Sequence, residues 1–192
     1  MSLVQNVDVD ALEEFRNFLK ENPDKGKLKL EARAVYEGQV GRSTVHIGPY
    51  DIDEKHIDRE TRHYTIPFGA WKEIEESMGV AGASDRVEPV EMTLAATAAC
   101  VVNSITLNAV RLGLDIQELE ISVRSTIDPR VLFGVLPPEK HSSCIGKIDY
   151  DVKVRGNLSD EDLKTIQNLC EHSPVYGMLN SAIPMKANII KC

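Results

Sequence analysis

Along the chain, the spacing of apolar positions switches between a period of two and a helical period near 3.6 residues, and the switches predict the elements. Asp10 followed three residues later by Glu13 predicts a helix start of the capping-box type, and Leu12, Phe15 and Leu19 give that helix one apolar face up to Asn22-Pro23. From Lys27 to Tyr36 the alternation is regular, with Leu28, Leu30, Ala32, Ala34 and Tyr36 on one side and Lys29, Glu31 and Arg33 on the other. This is a strand with one wet face. Glu37-Gly38 and Gly41 predict a tight return, with Arg42 on it, into a second strand through Val45 and Ile47, so the two form an antiparallel hairpin. A charged loop from Asp51 to Arg59 leads to a third strand near Arg62 to Pro67. Trp71, Ile74 and Met78 then share a helical face within Gly69 to Gly79, read as a short covering helix.

The chain is organised around the next stretch, Val87 to Leu114. Pro89 suits a first helical turn, Arg111 a last turn, and Gly113 a left-handed terminator. Between Met92 and Val102 apolar residues surround the axis, the pattern of a rod buried on nearly all sides. Glu91, Asn103 and Arg111 interrupt the run, which argues against a membrane span. Two strands follow, through Leu119 to Ile127 and Ile148 to Val154, joined by a Pro/Gly-rich loop from Asp128 to Ser143. Ser159 to Asp162 caps a second helix with Leu163, Ile166, Leu169 and Cys170 inward, Ser173-Pro174 breaks it, and a last helical turn (175–182) precedes a final strand through Ala187 and Ile189. This order predicts an α+β fold with a largely antiparallel sheet wrapped on helices.

Composition narrows the function. The net charge of −8 comes without a basic cluster, which excludes nucleic acid and anionic membranes as expected partners. Four cysteines, Cys100, Cys144, Cys170 and Cys192, have neither zinc-ribbon spacing nor the density of a disulfide framework. The N-terminus has no secretory pattern, so a reducing cytoplasm is expected. His46, His56, His63, His141 and His172 show no metal-ligand spacing beyond His141-x-x-Cys144, and neither a metal nor a cofactor is expected.

On the long helix Thr93, Thr97, Cys100, Ser104, Asn108 and Arg111 fall three or four apart and form one stripe of small or polar groups. The stripe is either a packing seam, in which hydroxyls bond back to the previous turn, or the wall of a site with Cys100 as its reactive group.

Pro89-x-Glu91 followed by LAATAAC ending at Cys100, and later Gly156 to Leu163 followed by Ser173-Pro174-Val175 and Ile183-Pro184, resemble the OsmC/Ohr superfamily of cysteine-based peroxidases. The resemblance covers about residues 27–192, leaving 1–26 as a helical extension and about 68–86 as an inserted helical segment. It implies an intertwined homodimer with sheets wrapped around two long central helices. It further implies reduction of organic hydroperoxides by a thiolate, with regeneration by a dithiol. Cys100 takes the nucleophilic role and Arg42 that of the thiolate-stabilising arginine, while a solvated hairpin arginine is the bland alternative. Trp71, Thr97 and Ser173 are assigned to the substrate pocket, with the Trp71 segment as its lid.

Two departures matter. Where hydroperoxide reductases of that family carry a resolving cysteine, this chain has Ser173, which cannot form a disulfide. Cys170 is the candidate substitute, although its place among Leu163 and Ile166 is that of a packing residue. The motif proline is followed by Val90, and Glu91 comes one residue later, on the opposite side of the helix from Cys100. Glu91 is therefore expected to serve the helix N-terminus. The expected function is a Cys100-dependent peroxidase using an external thiol or Cys170; the alternative is a non-catalytic dimer of the same fold that binds a small apolar ligand.

Overall fold

The computed structural model describes residues 3–191 and divides into two compact units, the first reaching Thr93 and the second starting at Leu94. The first unit opens with a minimal hairpin, β1 (Leu3–Val4) and β2 (Val7–Asp8). Its two turn residues, Gln5 and Asn6, both have positive φ, 49° and 63°, as a two-residue turn of this hand requires. Helix α1 (Val9–Glu21) follows directly. Its N-cap is Asp8, whose Oδ1 accepts from the N–H of Asp10 at 3.1 Å and of Ala11 at 3.4 Å. The expected Asp10/Glu13 box is thus corrected: the hairpin brings the chain into helical conformation earlier, and the preceding acid caps it.

Strands β3 (Leu28–Tyr36), β4 (Ser43–Ile52), β5 (Lys55–Ile57) and β6 (Tyr64–Phe68) form one antiparallel sheet in which β4 pairs with the other three. The predicted hairpin is present, with Gly38 and Gly41 at φ 84° and 76° in its return. The charged loop expected from Asp51 is instead a second hairpin, because Asp53 and Glu54 take positive φ and turn the chain from Ile52 straight to Lys55. A register shift separates Leu30 from Ala32 in β3, opposite Gly48-Pro49 of β4, where a proline without an N–H fits a bulge. All of β3 is exposed, including Leu30 at 71% and Tyr36 at 64%, so its apolar face has no cover among the described residues.

Helix α2 (Lys72–Ser77) ends at Gly79, whose φ is 72°. Val80 N–H donates to Glu75 C=O and Gly79 N–H to Glu76 C=O, both at 2.9 Å, the paired bonds that close a helix on a left-handed residue. Helix α3 (Pro89–Leu112) begins in this unit and continues through the second. Both its predicted ends are found. Glu88 accepts from Val90 N–H at 2.6 Å, and Glu91 accepts in return from Glu88 N–H at 3.2 Å. At the other end Gly113 has φ 71°, with Leu114 N–H donating to Ala109 C=O at 3.0 Å.

In the second unit, β7 (Asp115–Arg124) and β8 (Asp149–Asn157) form an antiparallel pair. The connection contains a single turn, α4 (His141–Cys144), and helices α5 (Asp160–Cys170) and α6 (Pro174–Asn180) follow. Ser159 and Asp162 form the predicted capping box on α5. A Cβ on Gly156 would stand 1.8 Å from the Asp115 carbonyl oxygen, so the bulge beside Ile116 admits only glycine there. Val101, Ile105 and Ala109 of α3 pack with Ile116 of β7 and with Ile166, Leu169 and Cys170 of α5 to make the core. Leu163, expected inward, is 45% exposed.

Two further expectations are corrected. Helix α3 is buried only at Thr97, Val101, Ser104, Ile105, Ala109 and Val110; Ala95, Ala99, Asn103 and Leu107, spaced by four, line an exposed face. By length and composition alone α3 could cross a membrane; its buried Val101, Ile105 and Ala109 pack in the core with Ile116 of β7 and with α5. The final strand through Ala187 and Ile189 does not form: residues 182–191 have no regular structure, Met185 and Ile189 are 97% and 90% exposed, and no described strand pairs with them.

Candidate functional site

The predicted site residues fall in both units. In the second, the α3 stripe turns toward the C-terminal end of α5. Ser104 Oγ, buried, donates to Leu169 C=O at 2.6 Å, reaching across to α5 instead of back along its own helix. Thr93 and Asn108 do bond back, to Pro89 C=O and Ser104 C=O, both at 2.9 Å. Thr97 is 2% exposed. Cys100 lies one turn before Ser104 on this stripe and is half-buried, whereas Cys144 and Cys170 are buried. Among the described cysteines, Cys100 alone is open to a small molecule.

Cys170 and Ser173 both have structural work here. Burial pushes the Cys170 thiol up, its Sγ lies 3.4 Å from Ile166 C=O, and its side chain belongs to the core. Such a thiol is a poor nucleophile near neutral pH. Ser173, 2% exposed, accepts from Tyr176 N–H at 3.2 Å and so caps α6, whose first residue is Pro174.

In the first unit, Arg42 sits on the β3–β4 return as predicted, but it is not a solvated arginine. Its side chain is 10% exposed and pairs with Glu75 of α2, which is 1% exposed. Nε donates to Glu75 Oε1 at 3.0 Å and Nη2 to Glu75 Oε2 at 2.5 Å, a two-point contact matched to carboxylate geometry. Nη2 also reaches Gly82 C=O at 2.9 Å and Ser84 Oγ at 3.1 Å, and Nη1 reaches Gln39 Oε1 at 3.3 Å. Ser84 N–H adds a third bond to Glu75 at 3.0 Å. These bonds, first among them those from Arg42, pull the Glu75 carboxyl down to about 2. Beside this group Arg86 holds Glu37 at 2.8 Å, and a Cβ on Gly69 would meet the Arg86 side chain at 2.9 Å.

Glu75 escaped the sequence reading because it looked like one of several solvated acids on α2. It lies four residues after Trp71 and three before Met78, so the helical spacing that marked those two also places Glu75 on their face. A lone acid on an otherwise apolar face was the available signal. Trp71 itself is half-buried at the N-cap of α2, and its indole N–H donates to Glu91 Oε1 at 3.0 Å, tying the start of α2 to the first turn of α3.

The low value at Glu75 carries a sign. Its folded value of about 2 lies below the ordinary 4.5, so the pair favours the folded state fully above about pH 4.5 and loses that effect as the pH falls toward 2. Acid unfolding followed by circular dichroism should therefore steepen across that window, and Glu75→Gln should flatten the acid limb. An unchanged limb would mean that the pair does not contribute.

Among the described residues no group of three His, Cys, Asp or Glu side chains could hold a metal ion. The OsmC-like protein family model matches residues 82–188, more than half of the chain. Among solved structures, the chain is similar to the OsmC-like protein of Mycoplasma pneumoniae, at 16% identity over 80% of this chain and 89% of that one, with a TM-score of 0.54. It is also similar to a Psychrobacter arcticus protein provisionally named for osmotic stress induction and detoxification response, at 15% identity, 77% and 85% coverage, and a TM-score of 0.50. A Vibrio cholerae protein provisionally named for organic hydroperoxide resistance matches at 13% identity, 79% and 85% coverage, and a TM-score of 0.45. No curated protein sequence matches the chain. At these identities the structural likeness concerns the fold, and the family model makes the assignment: the chain belongs to the OsmC-like protein family, with the α+β fold of that family.

Proposed function

We propose that this protein is a Cys100-dependent peroxidase that reduces organic hydroperoxides and is regenerated by an external dithiol. The observation that carries the reading is the accessibility of Cys100 on the α3 stripe while the other described thiols are buried. The thiolate sulfur attacks the terminal peroxide oxygen, the O–O bond breaks, and the alkoxide takes a proton to leave as an alcohol, with the sulfur oxidised to sulfenic acid. An external thiol then displaces water to form a mixed disulfide, and the second thiol of the reductant releases Cys100. Ser173 has no thiol to offer and Cys170 is buried with a raised thiol value, which favours an external reductant.

The test is consumption of cumene hydroperoxide with excess dithiothreitol. Turnover is expected in the wild type, with Cys170→Ser at a comparable rate. Absence of turnover would favour the second reading, a non-catalytic ligand-binding dimer, which the capping role of Ser173 supports.

A homodimer is part of the proposal. The alanine-rich exposed face of α3, the open apolar face of β3 and the exposed Met185 and Ile189 are surfaces that a second copy would cover. Small residues at Ala95 and Ala99 suit close helix approach. Light scattering should give twice the chain mass of 21.3 kDa, and Ala99→Glu should give that mass once. A wild-type mass of one chain would refute the dimer.

A further inference from the structure

The two sheets treat their exposed charges differently. In the β7–β8 pair the cations Arg124, Lys153 and Arg155 each bond an acid of the other strand, Asp151, Glu120 and Glu118. This is the ordinary cross-strand match of opposite charges. In the sheet of the first unit, Arg33 of β3 stands opposite His46 of β4, which stands opposite Thr65 of β6, so that row holds no acid. Among the described residues neither Arg33 nor Lys29 forms an ion pair. Both line a groove of about 610 Å³ on this sheet, to which His46, His56 and His63 also contribute. That volume falls within the roughly 300–1,000 Å³ of small-molecule sites and far exceeds what a bare inorganic anion fills.

The three imidazoles are each held by one nitrogen. His46 Nδ1 lies 3.4 Å from Thr65 Oγ1, His56 Nδ1 2.8 Å from Asp51 Oδ1 and His63 Nε2 2.7 Å from Asp58 Oδ1. A charged imidazole donates from both nitrogens, so a ring held by one offers the other to an anion. A Cβ on Gly48 would stand 3.4 Å from His63 Nδ1, so the glycine keeps room beside that second nitrogen. Of the two acids in the lining, Asp51 is taken by His56, which leaves Glu31 alone against Lys29 and Arg33. Tyr64 and Tyr50 add aromatic surface, and the Tyr50 ring is fixed by the Arg62 guanidinium 4.8 Å from its centre.

We propose that this groove binds a small organic oxyanion, its charged head at Arg33 and His46 and a flat apolar body against the tyrosines. A guanidinium meets an oxyanion at two points, and a tyrosine offers a planar body area at little cost in side-chain freedom. The groove belongs wholly to the first unit, and the inference does not depend on the peroxidase reading.

The experiment is titration of the full chain with naphthyl phosphate, followed by the NMR signals of the histidine rings, in wild type, Arg33→Gln, Glu31→Gln and Cys100→Ser. The signals of His46, His56 and His63 should move together while those of His141 and His172 stay. Arg33→Gln removes a charge-assisted contact and should weaken binding by about tenfold, and Glu31→Gln should tighten it. Both side chains are exposed on β3 without a described partner, so neither change endangers the fold. Cys100→Ser should bind as the wild type does, and inorganic phosphate should bind at least about tenfold more weakly than the naphthyl ester. Histidine signals unmoved at millimolar naphthyl phosphate, or an affinity unchanged by Arg33→Gln or lowered by Glu31→Gln, would overturn the site. Loss of binding in Cys100→Ser would place the probe at the thiol and overturn it too, and inorganic phosphate binding as tightly as the ester would overturn the organic ligand.

Discussion

Cys100→Ser is expected to lose cumene hydroperoxide turnover by on the order of a thousandfold or more, to the rate of dithiothreitol alone. The size of the loss follows from the chemistry. A serine hydroxyl is not ionised near neutral pH, and it cannot pass through a sulfenic acid and mixed disulfide, so both halves of the cycle stop. Neither of the other described thiols can take over: Cys144 and Cys170 are buried, and Cys170 is held in the core by Ile166 and Leu169. The fold should survive, because Cys100 is half-buried beside the capped and packed turns of α3 and serine is close to cysteine in size. Equal turnover in Cys100→Ser and wild type would remove the thiol from the mechanism.

The second large effect concerns stability. Ile105 is fully buried between Val101 and Ala109 of its own helix and the Ile166–Leu169 face of α5. Ile105→Ala deletes three carbons there and leaves a space that the helix, pinned across by Ser104 to Leu169, closes poorly. The expected cost is about 2–5 kcal/mol. Leu163→Ala, on the same helix face as Ile166 but 45% exposed, should cost less than about 1 kcal/mol. Denaturant unfolding with unchanged m-values distinguishes the two, and equal losses would mean that the core does not run where the buried residues place it.

What could be read from the sequence was local. Pro89, Glu91 and Gly113 mark the ends of α3 because each acts on backbone groups within a few residues, and Ser159 with Asp162 does the same for α5. The turns at Gln5-Asn6 and Asp53-Glu54 were missed because non-glycine residues occupy the left-handed region there, which a reading based on glycine overlooks. The surround of α3 and the final strand were misjudged for a shared reason. Apolar pattern states that a surface wants cover, and Leu107 and Ile189 still want it, but pattern does not say whether the same chain provides it. Among the candidate residues, Cys100 stood out by its place on the stripe together with the family resemblance, and Arg42 by the resemblance. Glu75 did not, since its burial depends on Arg42, 33 residues away, and on the loop that brings Ser84 N–H to it.

The central claim is that peroxide reacts at Cys100. Its most direct measurement is treatment of the wild-type protein with one equivalent of cumene hydroperoxide, trapping with dimedone, and peptide mass spectrometry of every cysteine. The account predicts a dimedone adduct on the Cys100 peptide, formed much faster than on free cysteine, with Cys144 and Cys170 unmodified. An unmodified Cys100, or oxidation at Cys144 and Cys170 to the same extent, would contradict it.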